Sequence, residues 1–197
     1  MMLQERKKTA RHEKIMSSLD ELTYATRRQL QVINNLSGDR NAHRILHDME
    51  RDRLISSIRK EQKIYYLTNT GKQQIGSSQA ELKQSWVTHV LMRNDLYIEL
   101  GMPGDWRKEV PAKINGEMLL IPDAMFTRNG ESHFVEIDNK QKMQTNIEKI
   151  KKYKKLSDAV FGQLNHTPTL IWYSLSDIRK EKLKSACERY GVKFKIY

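Results

Sequence analysis

The sequence predicts a mixed α+β / α/β protein in two parts. The first is helical and carries one β-hairpin, and the second builds a mixed sheet. Apolar residues spaced by three or four along residues 15–49 indicate successive helices. Two strand-like runs, 54–59 and 63–67, flank a short polar turn, which is typical of a hairpin. After residue 79 the order is helix, three strands, helix, strand, helix, strand, as in an α/β layer.

A small polar stretch, Gly76-Ser77-Ser78, marks the expected boundary between domains of residues 1–78 and 79–197. The second domain should open with a helix over residues 79–100. Its expected buried side carries Leu82, Trp86, Val90, Tyr97 and Leu100. Strands are expected at 106–110, 119–126 and 133–138, then a helix at 144–161, a strand at 169–173, a helix at 177–190 and a strand at 192–197.

The 197 residues carry a net charge of +11, which favours a polyanionic partner such as DNA, RNA or an anionic membrane. No apolar stretch is long enough to span a bilayer, and the polar N-terminus lacks the apolar core of a signal peptide, so we expect a cytoplasmic protein that does not bind membranes. The single cysteine, Cys187, excludes an intrachain disulfide and a cysteine-based zinc site. We expect its thiol to be partly buried.

The order of elements in the first domain is that of a winged helix-turn-helix. Thr26 and Gln29 have the spacing of a capping box for the second helix. A third helix should start at Ser37 or Asp39, either of which could cap it. Its apolar stripe comprises Ala42, Ile45, Leu46 and Met49. The stretch Tyr66-x-Thr68-x-x-Gly71 resembles the end of the wing in many bacterial winged-helix regulators.

The other side of the third helix is predicted to contact DNA. Arg40, Arg44, His47 and Arg51 follow one another at spacings of four, three and four, and Asn41 and His43 flank them. Asn41 could bind adenine, and Arg40 or Arg44 could bind guanine, in the major groove. The remaining expected DNA contacts are Arg27 and Arg28 on the preceding helix and Arg59, Lys60 and Lys63 on the wing. The alternative is a protein–protein module with a solvated basic face.

The second domain carries a pattern of acids that resembles the PD-(D/E)xK nuclease core, which implies a restriction-endonuclease-like fold. Pro122-Asp123 lies on one expected strand, and Glu136-x-Asp138 lies on the next. In that core, two carboxylates hold Mg²⁺ against the scissile phosphate, and a neighbouring lysine helps to activate water. Here Asp138 stands where the lysine is expected.

Two hypotheses follow for the acids. Strand alternation could place Lys140 beside Glu136, so that Asp123, Glu136 and Lys140 would be catalytic and Asp123, Glu136 and Asp138 could hold a metal. Alternatively, the acids serve structure and the protein needs no cofactor. The next helix carries Lys149, Lys151, Lys152, Lys154 and Lys155, which form a solvated face or a second surface that contacts phosphates.

Almost the whole chain resembles the replication-relaxation family of Gram-positive bacteria and their plasmids and conjugative elements. The resemblance rests on the winged helix, the Pro122-Asp123 strand, and Glu136-x-Asp138 followed by a basic helix around Tyr153. It implies a double-stranded DNA-binding accessory protein that binds an origin region and assists a relaxase or replication initiator. The alternatives are a Mg²⁺-dependent endonuclease or nickase, and a winged-helix transcriptional repressor. A homodimer is a further expected assembly.

Overall fold

A computed structural model describes residues 2–80 and 83–197 of the chain. Contacts divide the chain into two compact units, one ending at Ile98 and the other running from Glu99 to Tyr197. The predicted α+β class is confirmed, with helices in both units and a mixed five-stranded sheet in the second. No helix among the described residues combines the length and the apolar character that crossing a bilayer requires.

The first unit has the winged-helix order of elements. Its helices are α1 (Met2–Leu22), α2 (Arg27–Ile33), α3 (Asp39–Arg51) and α4 (Asn69–Ile75). Its strands are β1 (Ala25–Thr26), β2 (Ile55–Arg59) and β3 (Lys63–Leu67), which form an antiparallel sheet in the order β1-β3-β2. The predicted apolar stripe of α3 is confirmed, because all four of its residues are buried in the core beside Ile15 and Leu19 of α1.

The N-terminal caps of α2 and α3 differ from each other. The capping box of α2 is confirmed, since the Gln29 N–H donates to Thr26 Oγ1 at 3.2 Å and the Thr26 N–H donates to Gln29 Oε1 at 3.0 Å. The cap predicted for α3 is wrong. Gly38 is its N-cap, with φ of 62°, a conformation that favours glycine. Asp39 is already helical there, and its carboxylate pairs with Arg27 at 2.9 Å instead of capping the helix.

The helix predicted over residues 79–100 is shorter in the structure. A 3₁₀ turn (Gln84–Trp86) precedes α5 (Val87–Glu99), and Leu82 lies outside the described residues. Val90 and Leu100 are buried as predicted, but Trp86 is 51% exposed because it sits on the turn before the helix. Asn94 Nδ2 donates to the Tyr24 carbonyl at 2.6 Å. Such contacts assign most of α5 to the first unit, whereas the predicted domain boundary left this helix in the second.

The second unit is built on a five-stranded mixed sheet. The strands β4 (Arg107–Lys108), β7 (Ala124–Arg128), β8 (Glu131–Asp138), β9 (Thr169–Ser174) and β10 (Phe194–Ile196) have the order β10-β9-β8-β7-β4. The β8, β9 and β10 strands are parallel, and β7 and β4 are antiparallel to their neighbours. The helices are α6 (Met143–Leu164) and α7 (Asp177–Tyr190). Cys187 of α7 is fully buried, whereas the sequence predicted partial burial, and burial raises the pKa of its thiol to about 12.

The single strand predicted over residues 119–126 is in fact two strands. The strand β6 (Glu117–Leu120) pairs with β5 (Ala112–Ile114) in a separate hairpin, and β7 begins only at Ala124. Pro122 in the intervening segment has no N–H to donate to a ladder. The Asp123 carboxylate accepts the Ile137 N–H at 2.7 Å, and the Asp123 N–H donates to the Val135 carbonyl at 3.0 Å. The segment is therefore tied to β8 just before β7 begins.

The Thr68 and Gly71 pair joins the end of the wing to the loop that follows α3. Thr68 Oγ1 accepts the Gly71 N–H at 3.0 Å and lies 2.6 Å from the Arg53 carbonyl, to which its hydroxyl can donate. Gly71 is buried, and a β-carbon there would collide with the carbonyl oxygen of Leu54. The spacing seen in the sequence thus reflects a helix cap followed by a close approach of two backbone segments.

We predict that Gly71→Ala destabilises the protein, because the added methyl group must displace the Leu54 backbone. The expected loss is about 1–3 kcal/mol of unfolding free energy, as for other overpacked sites. Urea unfolding followed by circular dichroism would measure it. Thr70→Ala, at an exposed position of the same helix, should change stability little. Equal stability of the Gly71→Ala variant and the wild type would contradict the close approach.

Candidate nucleic-acid interface and acidic cluster

One side of α3 presents arginines and histidines to solvent, and we call this surface the α3 cationic face. Arg40, His43, Arg44, His47 and Arg51 are exposed, and Asn41 is half-buried. The apolar stripe occupies the opposite side of the helix and is buried. The structure therefore brings together the residues that the sequence predicted for this helix, on a surface open to a ligand.

Two residues of the α3 cationic face are held by neighbours along the helix. The Arg44 guanidinium donates to Asn41 Oδ1 at 3.0 Å and lies 3.6 Å from the Asp48 carboxylate. Asp48, which was not among the residues predicted from the sequence, also lies 3.5 Å from Arg51. Arg44 is nevertheless 61% exposed, so it is oriented without being covered. A side chain held in this way loses less conformational freedom when it binds.

Arg27 lies at the start of α2, where the sequence predicted it, and it is paired with an acid of α3. Its guanidinium lies 2.9 Å from the Asp39 carboxylate and within 3.4 Å of the Asp39 carbonyl oxygen. The hydrogen bond from Arg27 lowers the pKa of the Asp39 carboxyl. Arg27 thus connects the start of α2 to the start of α3 and fixes the turn between them, while Arg28 beside it is exposed.

The wing is joined to α3 by one glutamate. Glu50 Oε2 accepts from Lys63 Nζ at 2.7 Å, and Glu50 Oε1 accepts from Ser57 Oγ at 2.6 Å. Burial acts to raise the pKa of Glu50, but the hydrogen bonds from Lys63 and Ser57 outweigh it and the pKa is lowered. Lys63 is thus paired within the unit although it is exposed, and Arg59 and Lys60 are exposed at the tip. Sequence reasoning missed Glu50, whose partners lie on two strands.

The acids of the second unit form a separate cluster under α6. Glu136 is 1% exposed, and its carboxylate accepts from Lys149 Nζ at 2.5 Å and from the Tyr153 hydroxyl at 2.7 Å. Burial, and then the charge of Asp123, raise the pKa of Glu136 to about 7. The pKa of Tyr153 is also raised, first by burial and then by Glu136. Lys149 is therefore the lysine that faces Glu136.

Asp138 lies two residues further along β8 and is equally buried. Arg179 of α7 donates to both of its carboxylate oxygens at 2.6 Å, and Asn146 of α6 donates to Oδ1 at 2.7 Å. The Ser174 hydroxyl lies 3.3 Å from Oδ2. Burial acts to raise the pKa of Asp138, but the hydrogen bonds from Arg179 and Asn146 lower it overall. This carboxylate joins β8 to both helices.

Lys140 lies outside the strand that carries Glu136 and Asp138. The strand β8 ends at Asp138, so strand alternation does not extend to Lys140, which is exposed in the following loop. Sequence reasoning missed Lys149 because its approach to Glu136 depends on how α6 packs against the sheet. The spacing between the two residues carries no signal for that contact.

The acidic cluster does not fit a bound metal ion. Within residues 2–80 and 83–197, no group of three or more His, Cys, Asp or Glu side chains is arranged to hold one. The carboxylates of Glu136 and Asp138 instead accept from side chains of α6 and α7, and Asp123 accepts from a backbone N–H. The chemistry of this donor set is that of a neutralised, buried polar network.

The protein is a two-part α+β chain. Its first unit has the element order of a winged helix, and its second unit is built on a mixed sheet. The profile described as replication-relaxation matches residues 16–167, which span most of both units. The chain belongs to the replication-relaxation family, whose description associates it with replication. No curated protein matches the chain. No solved structure matches it either.

The raised pKa of Glu136 predicts a dependence of stability on pH. The folded state holds this proton up to about pH 7, whereas the unfolded chain releases it near 4.5. Stability from this group is therefore fully present below about 4.5 and is lost as the pH rises through about 7. Glu136→Gln should lose less stability than the wild type over that range, as measured by thermal unfolding.

The matched control for this experiment is Glu148→Gln on the same helix as Lys149. The hydrogen bond from Lys151 lowers the pKa of Glu148, so its titration lies at lower pH. His12 and His133, whose pKa values are lowered chiefly by burial, titrate alike in all three proteins. Identical pH profiles of stability for the wild type and Glu136→Gln would contradict the raised pKa of Glu136.

The pairing of Asp138 predicts a large effect of removing its charge. Asp138→Asn removes the charged acceptor of the Arg179 and Asn146 side chains, and the loss of a buried hydrogen-bonding partner costs about 1–3 kcal/mol. Chemical denaturation would give the difference in unfolding free energy. Asp158→Asn, which removes an exposed i,i+4 partner of Lys154, should have little effect. A stable Asp138→Asn protein would favour a functional role for this acid over a structural one.

Proposed function

We propose that this protein binds double-stranded DNA through its winged helix, as an accessory factor for replication or transfer of a plasmid or mobile element. The observation that carries the proposal is the exposure of the α3 cationic face, opposite a buried apolar stripe. A helix that is anchored on one side and cationic on the other can enter the major groove of a duplex.

Base recognition is assigned to the N-terminal half of α3. In helix-turn-helix proteins, the first residues of the recognition helix contact base edges. Arg40, Asn41 and Arg44 lie there, and Asn41 orients the Arg44 guanidinium in the free protein. Arginine can pair with the two acceptors of guanine, and asparagine with the N6 and N7 atoms of adenine. His43 and His47, whose rings stack at 6.3 Å, lie on the same face.

Phosphate contacts are assigned to the exposed cations around this helix. Arg28, Arg51, Arg59 and Lys60 are exposed and lie on α2, the end of α3 and the wing tip. Such contacts fix the register of a protein on the duplex and make affinity depend on salt. Arg27 and Lys63 support the interface indirectly, because they hold α3 to α2 and to the wing.

The second unit is proposed to act without cleaving DNA. Glu136 is paired with Lys149 and Tyr153, and Asp138 is paired with Arg179. The carboxylates that a nuclease would use to bind a metal ion therefore accept hydrogen bonds from the protein itself. The family description favours replication as the context. An origin region beside a relaxase or initiator is the corresponding target, and a promoter is the target expected of a repressor.

The test of this proposal is the double variant Arg40→Ala/Arg44→Ala. A duplex site selected from a random library with the wild-type protein serves as the probe. Loss of a bidentate base contact costs about 1–3 kcal/mol, so affinity should fall at least about tenfold and the preference over random duplex should narrow. Fluorescence anisotropy at fixed salt measures both quantities.

The control carries the same loss of charge elsewhere. Arg107→Ala/Arg189→Ala removes two exposed arginines of the second unit and should leave the preference for the selected site unchanged. Unaltered affinity and preference in Arg40→Ala/Arg44→Ala would remove the assignment of the α3 cationic face. Duplexes tiled across the genetic neighbourhood of the gene would then separate binding at an origin or nick region from binding at a promoter.

A further inference from the structure

The most basic segment of the chain lies in the second unit, outside the winged helix. Residues 140–155 contain seven lysines and a single acid, Glu148. The segment comprises the end of the β8–α6 loop and the first half of α6. These amines fall into two groups, those with a carboxylate partner and those without one.

Three of the seven lysines have a carboxylate partner within the unit. Lys149 pairs with Glu136 at 2.5 Å, Lys151 with Glu148 at 2.8 Å, and Lys154 with Asp158 at 2.5 Å. The other four are Lys140, Lys142, Lys152 and Lys155, and all four are exposed. In the described part of the chain, no carboxylate lies within 4 Å of their amines. We call these four residues the α6 lysine surface.

The apolar side of α6 is not available to a ligand. Ile150, Tyr153 and Leu156 are buried in the core of the second unit. This half of the helix therefore has no exposed apolar face to insert into a lipid bilayer. The segment also lacks a stacking platform for unpaired bases, since its one aromatic residue, Tyr153, is 3% exposed. The groups of this segment that are available to a ligand are the exposed lysine amines of α6 and of the loop before it.

We propose that the α6 lysine surface binds the phosphate backbone of double-stranded DNA, as a second contact that does not depend on sequence. Lysine amines neutralise phosphates without reading bases, and they need no preformed pocket. Lys152 and Lys155 are three residues apart on α6 and therefore neighbours on its surface. The choice of duplex DNA among polyanions rests on the proposed function of the winged helix.

Two binding surfaces on one chain have a thermodynamic consequence. Once the winged helix is bound, the second unit meets nearby DNA at a high effective concentration, and weak phosphate contacts then add to the overall affinity. The contribution should appear mainly in the salt dependence, because each neutralised phosphate adds about 0.9 to the slope of log affinity against log salt concentration.

The experiment compares two double variants of the full chain that lie on the same helix. Lys152→Gln/Lys155→Gln removes unpaired amines, and Lys151→Gln/Lys154→Gln removes two amines that already have carboxylate partners. Binding to a random-sequence duplex is measured by anisotropy across a salt series. The first variant should lose about 1.8 from the salt slope and bind severalfold more weakly, whereas the second should remain near wild type.

Both variants are also made in the Arg40→Ala/Arg44→Ala background, which separates this proposal from the proposed function. A lysine effect that persists there supports a second surface, even if the α3 assignment fails. Equal losses in the two lysine variants would reduce the effect to net charge and overturn the proposal. Unchanged duplex binding, including the case in which only phosphatidylserine vesicles or single-stranded DNA respond, would overturn it as well.

Discussion

The burial of one side of α3 is the constraint on which the rest of the first unit depends. Ala42, Ile45, Leu46 and Met49 are each almost completely removed from solvent. Full burial of an aliphatic side chain contributes about 1.5–3 kcal/mol, so this stripe outweighs any single polar contact of the helix. Because the stripe fixes the rotation of α3 about its axis, the arginines and histidines on the other side have no position available except the surface.

Polar contacts then set the finer geometry that burial leaves open. Arg27 links the starts of α2 and α3, and Glu50 links the end of α3 to both strands of the wing. Exposed ion pairs of this kind contribute little to stability. Their effect is on position: they hold the helix and the hairpin in one arrangement, which the proposed contact with a duplex groove requires before binding.

The sequence predicted what depends on local periodicity and failed where distant segments meet. The α3 stripe, the Thr26 and Gln29 capping box and the hairpin follow from spacings of two to four residues, and all three are confirmed. The roles of Glu50, Lys149 and Arg179 could not be predicted, because their partners lie on other elements whose packing no spacing records. Pro122 could have indicated the break before β7, since proline is disfavoured inside a strand.

The buried acids of β8 show how charge is distributed in the second unit. Glu136 and Asp138 are too deeply buried to remain charged without partners, and the cost of desolvating them is offset by cations from α6 and α7. Lys149 and Arg179 are engaged in those pairs, whereas Lys152 and Lys155 of α6 remain exposed to solvent. Because both acids are buried, their charge is not presented at the surface of that helix. The proposed phosphate contact therefore depends on the lysines of α6 that have no acid beside them, Lys152 and Lys155, and not on the amine that is paired with the core.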